Sequence, residues 1–309
     1  MARLILNGKS AQLPAVREAV FARREAGDNL EVRVTWEQGD AARLAEQAGR
    51  DGVERVVAGG GDGTVNEVVN GLMRLSPEQR PGLGILPLGS ANDLATSLDL
   101  PLDAEPALAS ALQLPLRRID VPRLDDWHFL NMATCGFGAE ITSSTPKALK
   151  RLLGGGAYSL IGAVKAWDFR LYPGVLRWEG GERRVEVFML AIGNGRQSGG
   201  GQALTPDASL DDGLLDVLLL HDVASLARLR AMRRELAARP DRGRYVDAFR
   251  TDALAFEAEE ALPVTLDGEP LQRRGFRVAI SPGALALAAP PECPLFSRPP
   301  RGRSGLRPG

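Results

Sequence analysis

Residues 56–73, VVAGGGDGTVNEVVNGLM, pass from a continuous apolar run through four glycines and one aspartate into a stretch with helical spacing. Val65, Val68, Val69, Leu72 and Met73 fall at i, i+3, i+4, i+7 and i+8, the stripe of an amphipathic helix. The run before it, residues 53–59, reads as a buried strand. A strand, a tight turn and a helix start form a phosphate-cradling arrangement. The first-turn N–H groups lack helical partners, and the helix dipole is positive there. One or two glycines suffice for such a turn. Glycines at 59–61 and 63 let the backbone reach left-handed dihedrals and approach a ligand closely. Thr64 is placed to cap the helix and to touch a phosphate oxygen. Two familiar phosphate motifs fail: G-x-G-x-x-G would need glycine at Thr64 or Asn66, and GKS at 8–10 lacks the earlier glycine and loop of a P-loop, so Lys9 is set aside. Asp62 would repel phosphates unless a cation intervenes or it acts as a base. Mg2+ bridging a carboxylate and nucleotide phosphates is the usual resolution; an aspartate capping its own turn is the plainer one.

The pattern recurs along the first third of the chain. Strands over 3–8, 30–36, 53–59 and 82–89 alternate with helices over 39–52, 64–73 and 91–100. Asp40 is the expected N-cap of the first helix, with Leu44, Ala45 and Ala48 on one face. Such alternation implies a parallel sheet with both faces covered. GILPLGSANDLA (84–95) is a second strand–turn–helix junction, where Ser90 offers a hydroxyl and Asn92 and Asp93 serve equally as caps. Two such turns on neighbouring strands imply a shared crevice at the strands' carboxyl ends, which Thr35 would also face.

The alternation fades near residue 118. Segment 117–141 reads as two strands around an Asp125-Asp126 turn. Further strands over 174–195, 213–223, 253–271 and 275–290 suggest a β-sandwich. A helical stretch at 146–170 and an Arg-rich amphipathic one at 223–240 interrupt it. The expected fold is therefore α/β plus all-β: an N-terminal α/β nucleotide-binding domain over 1–119 with a parallel sheet, then a β-sandwich over 120–279. The Pro/Gly/Arg-rich tail, 297–309, is expected to be disordered.

A chain of 309 residues suits about two domains. Its net charge of −1 argues against a nucleic-acid partner. Two cysteines, Cys135 and Cys293, are too few for a disulfide framework and suit a reducing compartment. The N-terminus lacks a signal-peptide apolar region, and no run approaches the roughly 18 apolar residues of a spanning helix. A soluble, cytoplasmic protein is expected.

Taken together, GGGDGTVNEV, LPLGSANDLA, NMATCGFGAEI, IGNGRQSGGGQ, DDGLLD and LDGEPL resemble the YegS-type lipid kinases, bacterial relatives of the diacylglycerol kinase catalytic domain. The resemblance runs from ILNGKS to PPECPLF, although GGDG alone is shared with NAD kinases and sphingosine kinases. It implies ATP-dependent phosphorylation of a lipid hydroxyl, and a sandwich whose final segment, about 280–296, rejoins the first domain. It puts Thr35, Gly61, Asp62, Gly63, Thr64, Val65, Asn66, Glu67 and Ser90 on ATP-binding positions. Ser90 stands where relatives often have threonine, which keeps the hydroxyl. Leu210, Asp212 and Leu214 fall on a metal site, and Glu269 on the proton acceptor, with Asp62 as the other catalytic candidate.

These roles suit the residue types. Asp212 supplies a carboxylate, while Leu210 and Leu214 supply only carbonyls, an all-oxygen set that a hard cation, Mg2+ or Ca2+, accepts. Asp211 and Asp216 are plausible substitutes. TLDGEPL (265–271) reads as a hairpin with a two-residue Asp-Gly turn. A surface turn is its default reading; a glutamate just beyond it would reach an interdomain cleft and take the alcohol proton. The glycine-rich loop 192–202 suits a lipid entrance or a simple turn. A lipid kinase without a spanning helix must visit the membrane surface. Residues 145–167 are the candidate contact, with Lys147, Lys150, Arg151 and Lys165 beside Leu149, Leu152, Leu153, Tyr158 and Trp167. Because Gly154–Gly156 break the helix, packing on the sandwich is the favoured reading of that stretch. The competing functions are a kinase of a soluble substrate, as in NAD kinases, and a catalytically silent nucleotide-binding regulator.

Overall fold

A computed structural model describes residues 1–137, 139, 170–198, 202–222 and 226–297. Its first part alternates β1 (Ala2–Leu6), α1 (Pro14–Glu25), β2 (Leu30–Val34), α2 (Asp40–Arg50), β3 (Arg55–Gly60), α3 (Asp62–Met73), β4 (Gly82–Pro87), α4 (Asp93–Ser97) and α5 (Ala104–Gln113). The strands lie in the order β2–β1–β3–β4, each neighbouring pair parallel. Strands covered on both faces are apolar throughout, and alternate residues serve opposite layers. Ile5, Val56, Ala58, Leu83 and Ile85 pack with Leu44, Val68 and Leu72 of α2 and α3. Leu4, Leu6, Val57 and Leu86 pack with Val16, Val20 and Leu108 of α1 and α5. The sequence reading assigned neither α1 nor α5. Their buried stripes are short and partly alanine, Val16, Ala19 and Val20 in one and Ala107, Leu108 and Ala111 in the other.

Two caps differ from expectation. The N-cap of α2 is Gly39, at φ 88°, and Asp40 is the first helical residue. The Asp40 carboxylate instead accepts the N–H groups of Trp36 and Glu37, at 2.8 and 3.3 Å. The N-cap of α3 is Gly61, so Thr64 sits within the first turn and does not cap it.

The second part comprises β5 (Leu116–Leu124), β6 (Trp127–His128), β7 (Met132–Gly136), β8 (Tyr172–Trp178), β9 (Gly181–Gly193), β10 (Gln197–Ser198), β11 (Gln202–Ala203), β12 (Leu215–His221), α6 (Leu226–Ala238), β13 (Val246–Thr251), β14 (Ala253–Leu266) and β15 (Glu269–Ala288). The antiparallel path β13–β12–β9–β7–β14–β15, with β8 joining β14 to β9, folds into a sandwich-like unit. Phe129, Cys135, Tyr172, Leu190, Val217, Phe256 and Val278 lie at its centre. The 20-residue strand β15 links the two parts. It pairs with β14 near its start and with β5 further on, and meets β4 in parallel at Leu287 and Leu83. Leu285, Leu287, Leu295 and Phe296 then bury in the same core as Ile5 and Val68.

The proposed membrane contact at 145–167 lies outside the described residues, as do 199–201 of the glycine-rich loop, 223–225 of the Arg-rich stretch and 298–309 of the tail. Ser297, expected in that tail, is tied to the Asp211 carboxylate by its N–H and hydroxyl at 2.7 and 2.6 Å.

Candidate active site

The β3–α3 turn sits at the carboxyl end of the sheet. The first helical bond of α3 runs from the Val65 N–H to the Gly61 carbonyl, at 3.1 Å. The N–H groups of Asp62, Gly63 and Thr64 therefore have no acceptor within the helix. The neighbouring β4–α4 turn lies against this one. A β-carbon on Gly61 would stand 3.1 Å from the Gly89 α-carbon, and one on Gly89 2.5 Å from that of Gly61. Glycine at 89 is what lets the two loops touch, and a side chain at 61 would push them slightly apart. The Asp62 carboxyl lies beside this second loop, where the backbone of Leu94 and Asn92 favours its ionised form.

Asp62 also lines a small cavity of about 110 Å³ with Asp93, Asn131, Met132 and Asp267. Burial, with Asp93 and then Asp267 nearby, pushes the Asp62 carboxyl up to about 6. Asp267 is held at three backbone N–H groups, those of Leu130, Asn131 and Met132, at 2.8–2.9 Å. The Asn66 amide adds a fourth donor at 3.1 Å. Burial nonetheless pushes the Asp267 pKa up, with those donors opposing it. The Oδ1 atom of Asn131 is buried and without a partner among the described residues. Both Asp267 oxygens are taken up by its four donors, so a hard cation beside Asp62 would need oxygens from a bound phosphate or water to complete its shell.

Glu269 starts β15, directly after the Asp267-Gly268 turn. That turn has φ of 48° and 93°, the two left-handed residues of a tight hairpin. Its carboxylate rests against the first turn of α3: a β-carbon on Gly63 would lie 2.6 Å from Glu269 Oε1. Glycine at 63 leaves the room this carboxylate occupies.

On the other side of α3 opens a larger crevice of about 840 Å³, lined among others by Lys9, Thr35, Trp36, Thr64, Glu67 and Glu269. Of the expected nucleotide positions, Thr35, Thr64 and Glu67 face it. Glu67 accepts the Gly39 N–H at 3.0 Å and so pins the β2–α2 loop to α3. Ser90 is exposed on the adjoining turn. Val65 and Asn66 turn inward: Val65 is a core residue, and the Asn66 amide is spent on the His128 carbonyl and Asp267. Sequence reasoning set Lys9 aside, yet it lies on the crevice wall. It also missed Asp267, whose anchoring partners are more than 130 residues away.

The turn at 210–214 has its own electrostatics. The Leu210 carbonyl accepts the Asp120 N–H at 2.6 Å, and Asp120 accepts the N–H groups of Gly213 and Gly283. Asp212 Oδ1 accepts the Leu214 N–H at 3.1 Å. Burial raises the pKa values of both Asp212 and Asp216, against the lowering effect of Arg250. Asp216 Oδ2 is buried and unpartnered among the described residues. Asp211 is taken up by Ser209 and Ser297. No group of three acidic, His or Cys side chains among the described residues is arranged to hold a metal by itself. Carbonyls would have to complete any such site, and the surplus of buried acid fits a hard cation.

Two family models, curated relatives and solved structures match this chain. Residues 1–124 match the diacylglycerol kinase catalytic domain, and residues 132–289 match the YegS C-terminal NAD kinase beta sandwich-like domain. A protein of Chromohalobacter salexigens described as "Probable lipid kinase YegS-like" is 57% identical over 294 residues, 95% of this chain and 94% of that one. One of Yersinia enterocolitica with the same description is 43% identical, over 95% and 98% of the two chains. A crystal structure of a diacylglycerol kinase from Bacillus anthracis superimposes with a TM-score of 0.72 at 25% identity, covering 94% of this chain and 97% of that one.

Proposed function

Because this chain belongs to the YegS-like lipid kinase family, we propose that it transfers the γ-phosphoryl group of ATP to a lipid hydroxyl, with Glu269 as the proton acceptor. The observation that carries this reading is the seat of the Glu269 carboxylate beside Gly63, on the open first turn of α3. A base on the sandwich side thereby meets a phosphate cradle on the α/β side.

The N–H groups of Asp62, Gly63 and Thr64 bind donor phosphates, aided by the helix dipole. Ser90 and the Gly89 turn offer a second contact, and Thr35 and Thr64 contribute hydroxyls from the crevice wall. The lipid hydroxyl approaches Glu269 from the sandwich side. Glu269 takes its proton as the oxygen attacks the γ-phosphorus, and the bond to the β-phosphate oxygen breaks to release ADP. Asp62 is the carboxylate best placed to hold a cation beside the phosphates, and such a cation neutralises charge on the transferring group. Leu210 and Leu214, through their carbonyls, and Asp212 would hold a second, structural cation, Mg2+ or Ca2+.

The chain has to reach its substrate at a membrane surface. No helix among the described residues is long and apolar enough to cross one. Incubating the full chain with γ-labelled ATP, Mg2+, NAD and extracted bacterial lipids tests the assignment. Labelled lipid is the expected product. Labelled NADP would move the chain to the soluble-substrate kinases, and no labelled product would leave a silent nucleotide binder.

The structural cation makes a separate prediction. Millimolar Ca2+ or Mg2+ raises the Tm of the wild type, and Asp212→Asn removes most of that rise in differential scanning calorimetry. Because the Asp212 pKa is raised, cations compete with protons there and the rise grows with pH. An equal rise in the variant would place the stabilising cation elsewhere.

A further inference from the structure

Trp36 is 96% exposed. Tryptophan is usually well buried, so an indole standing in water on the wall of a crevice is a feature to explain. Its backbone is firmly held. Thr35 donates its N–H to the Leu6 carbonyl at 2.9 Å, continuing the pairing of β2 with β1. Trp36 and Glu37 donate to Asp40, and Gly39 donates to Glu67 on α3. The Arg43 guanidinium and the two backbone donors lower the Asp40 pKa to about 2, so this clamp is ionised at any working pH. The loop thus presents an unpacked aromatic face from a fixed backbone, tied directly to the helix whose first turn is the phosphate cradle.

The crevice is also larger than a triphosphate chain requires. Its volume of about 840 Å³ lies within the roughly 300–1,000 Å³ of sites that enclose a whole small ligand. Thr64 and Glu269 mark its phosphate end, and Trp36 stands on the β2–α2 loop that forms another wall. We propose that the Trp36 indole is the platform on which the base of the nucleoside triphosphate stacks. This inference rests on the reading of the crevice as the ATP site, and it names the part of the ligand that the phosphate loops cannot recognise. Stacking on an aromatic face discriminates little between bases, so the loop selects a base-bearing donor over inorganic phosphates more than adenine over guanine.

Steady-state kinetics on the full chain with lipid vesicles provide the test, with inorganic tripolyphosphate as a base-free competitor. Trp36→Ala raises the KM for ATP about 10-fold, the size of one lost stacking contact, with kcat little changed. It weakens GTP use by a similar factor. Trp36→Phe, which restores a π face, returns the KM to within about 3-fold of wild type. Tripolyphosphate inhibits wild type and Trp36→Ala with the same Ki, because it makes no base contact. ADP quenches wild-type tryptophan fluorescence, and the quench is lost in Trp36→Phe. An unchanged ATP KM in Trp36→Ala overturns the inference. So does a loss of vesicle binding at unchanged KM, which would assign the indole to the membrane. Failure of wild type to bind ATP at all, seen as no quench and no turnover, overturns the ATP reading itself and the inference with it.

Discussion

Glu269→Gln is expected to lower kcat by about 10²–10⁴-fold, the usual contribution of a general base, while ATP still binds. The substitution keeps the size of the side chain and removes the capacity to accept a proton. Its position is well determined. The preceding Asp267 is anchored at the N–H groups of Leu130, Asn131 and Met132 and by Asn66 from α3. Neither anchor involves the Glu269 carboxylate, so Gln inherits the same seat beside Gly63. Loss of a negative charge next to the phosphates leaves ATP affinity equal or slightly higher. Initial rates with vesicle-borne lipid and equilibrium ATP binding together separate the two effects. A kcat within a few-fold of wild type would remove Glu269 from proton transfer.

Much of the site was legible because it is local. The glycines at 59–61 and 63 flank a strand and a helix contiguous with them, and the apolar stripe Val65, Val68, Leu72 needs nothing beyond its own spacing. The Asp-Gly turn announced the β14–β15 hairpin for the same reason. What escaped depends on distant parts of the chain. Asp267 resembles any surface turn residue until the backbone of 130–132 closes on it. Asp120 has no signal in its neighbourhood, since its partners are Gly213 and Gly283. Cap assignments failed at Asp40 and Thr64 because a glycine just upstream took the capping conformation and released the polar side chain for other work. Lys9 was dismissed for matching an incomplete motif, although its place on the crevice follows from where β1 ends and not from any motif. The helices α1 and α5 carry too little large apolar surface for periodicity to reveal them.

The acidic cavity connects stability to activity through Asp62. Its folded-state pKa of about 6 lies above the ordinary aspartate value of 3.8. The ligand-free fold therefore prefers the protonated form. The stability this contributes is complete below about pH 4 and is lost as pH rises through 6. At neutral pH the ionised group faces Asp93 and Asp267 in a confined space, a strain that a bound cation would relieve. Asp62→Asn removes the charge and keeps the size of the side chain. In the absence of metal and nucleotide, the variant is expected to melt about 2–4 °C higher than wild type at pH 7.5 and to lose the wild-type decline between pH 4 and 7. Turnover moves the opposite way, falling about 10²–10³-fold, as when one preorganised electrostatic group is removed from a phosphoryl-transfer site. Wild-type kcat/KM should rise with pH as Asp62 ionises, with the inflection displaced below 6 by saturating Mg2+, and that inflection should be missing from the variant. Calorimetry across pH 4–8 and rates across the same range at two Mg2+ concentrations measure both sides. A variant with wild-type melting profile and unaltered Mg2+ dependence would reduce Asp62 to a turn residue with no part in the chemistry.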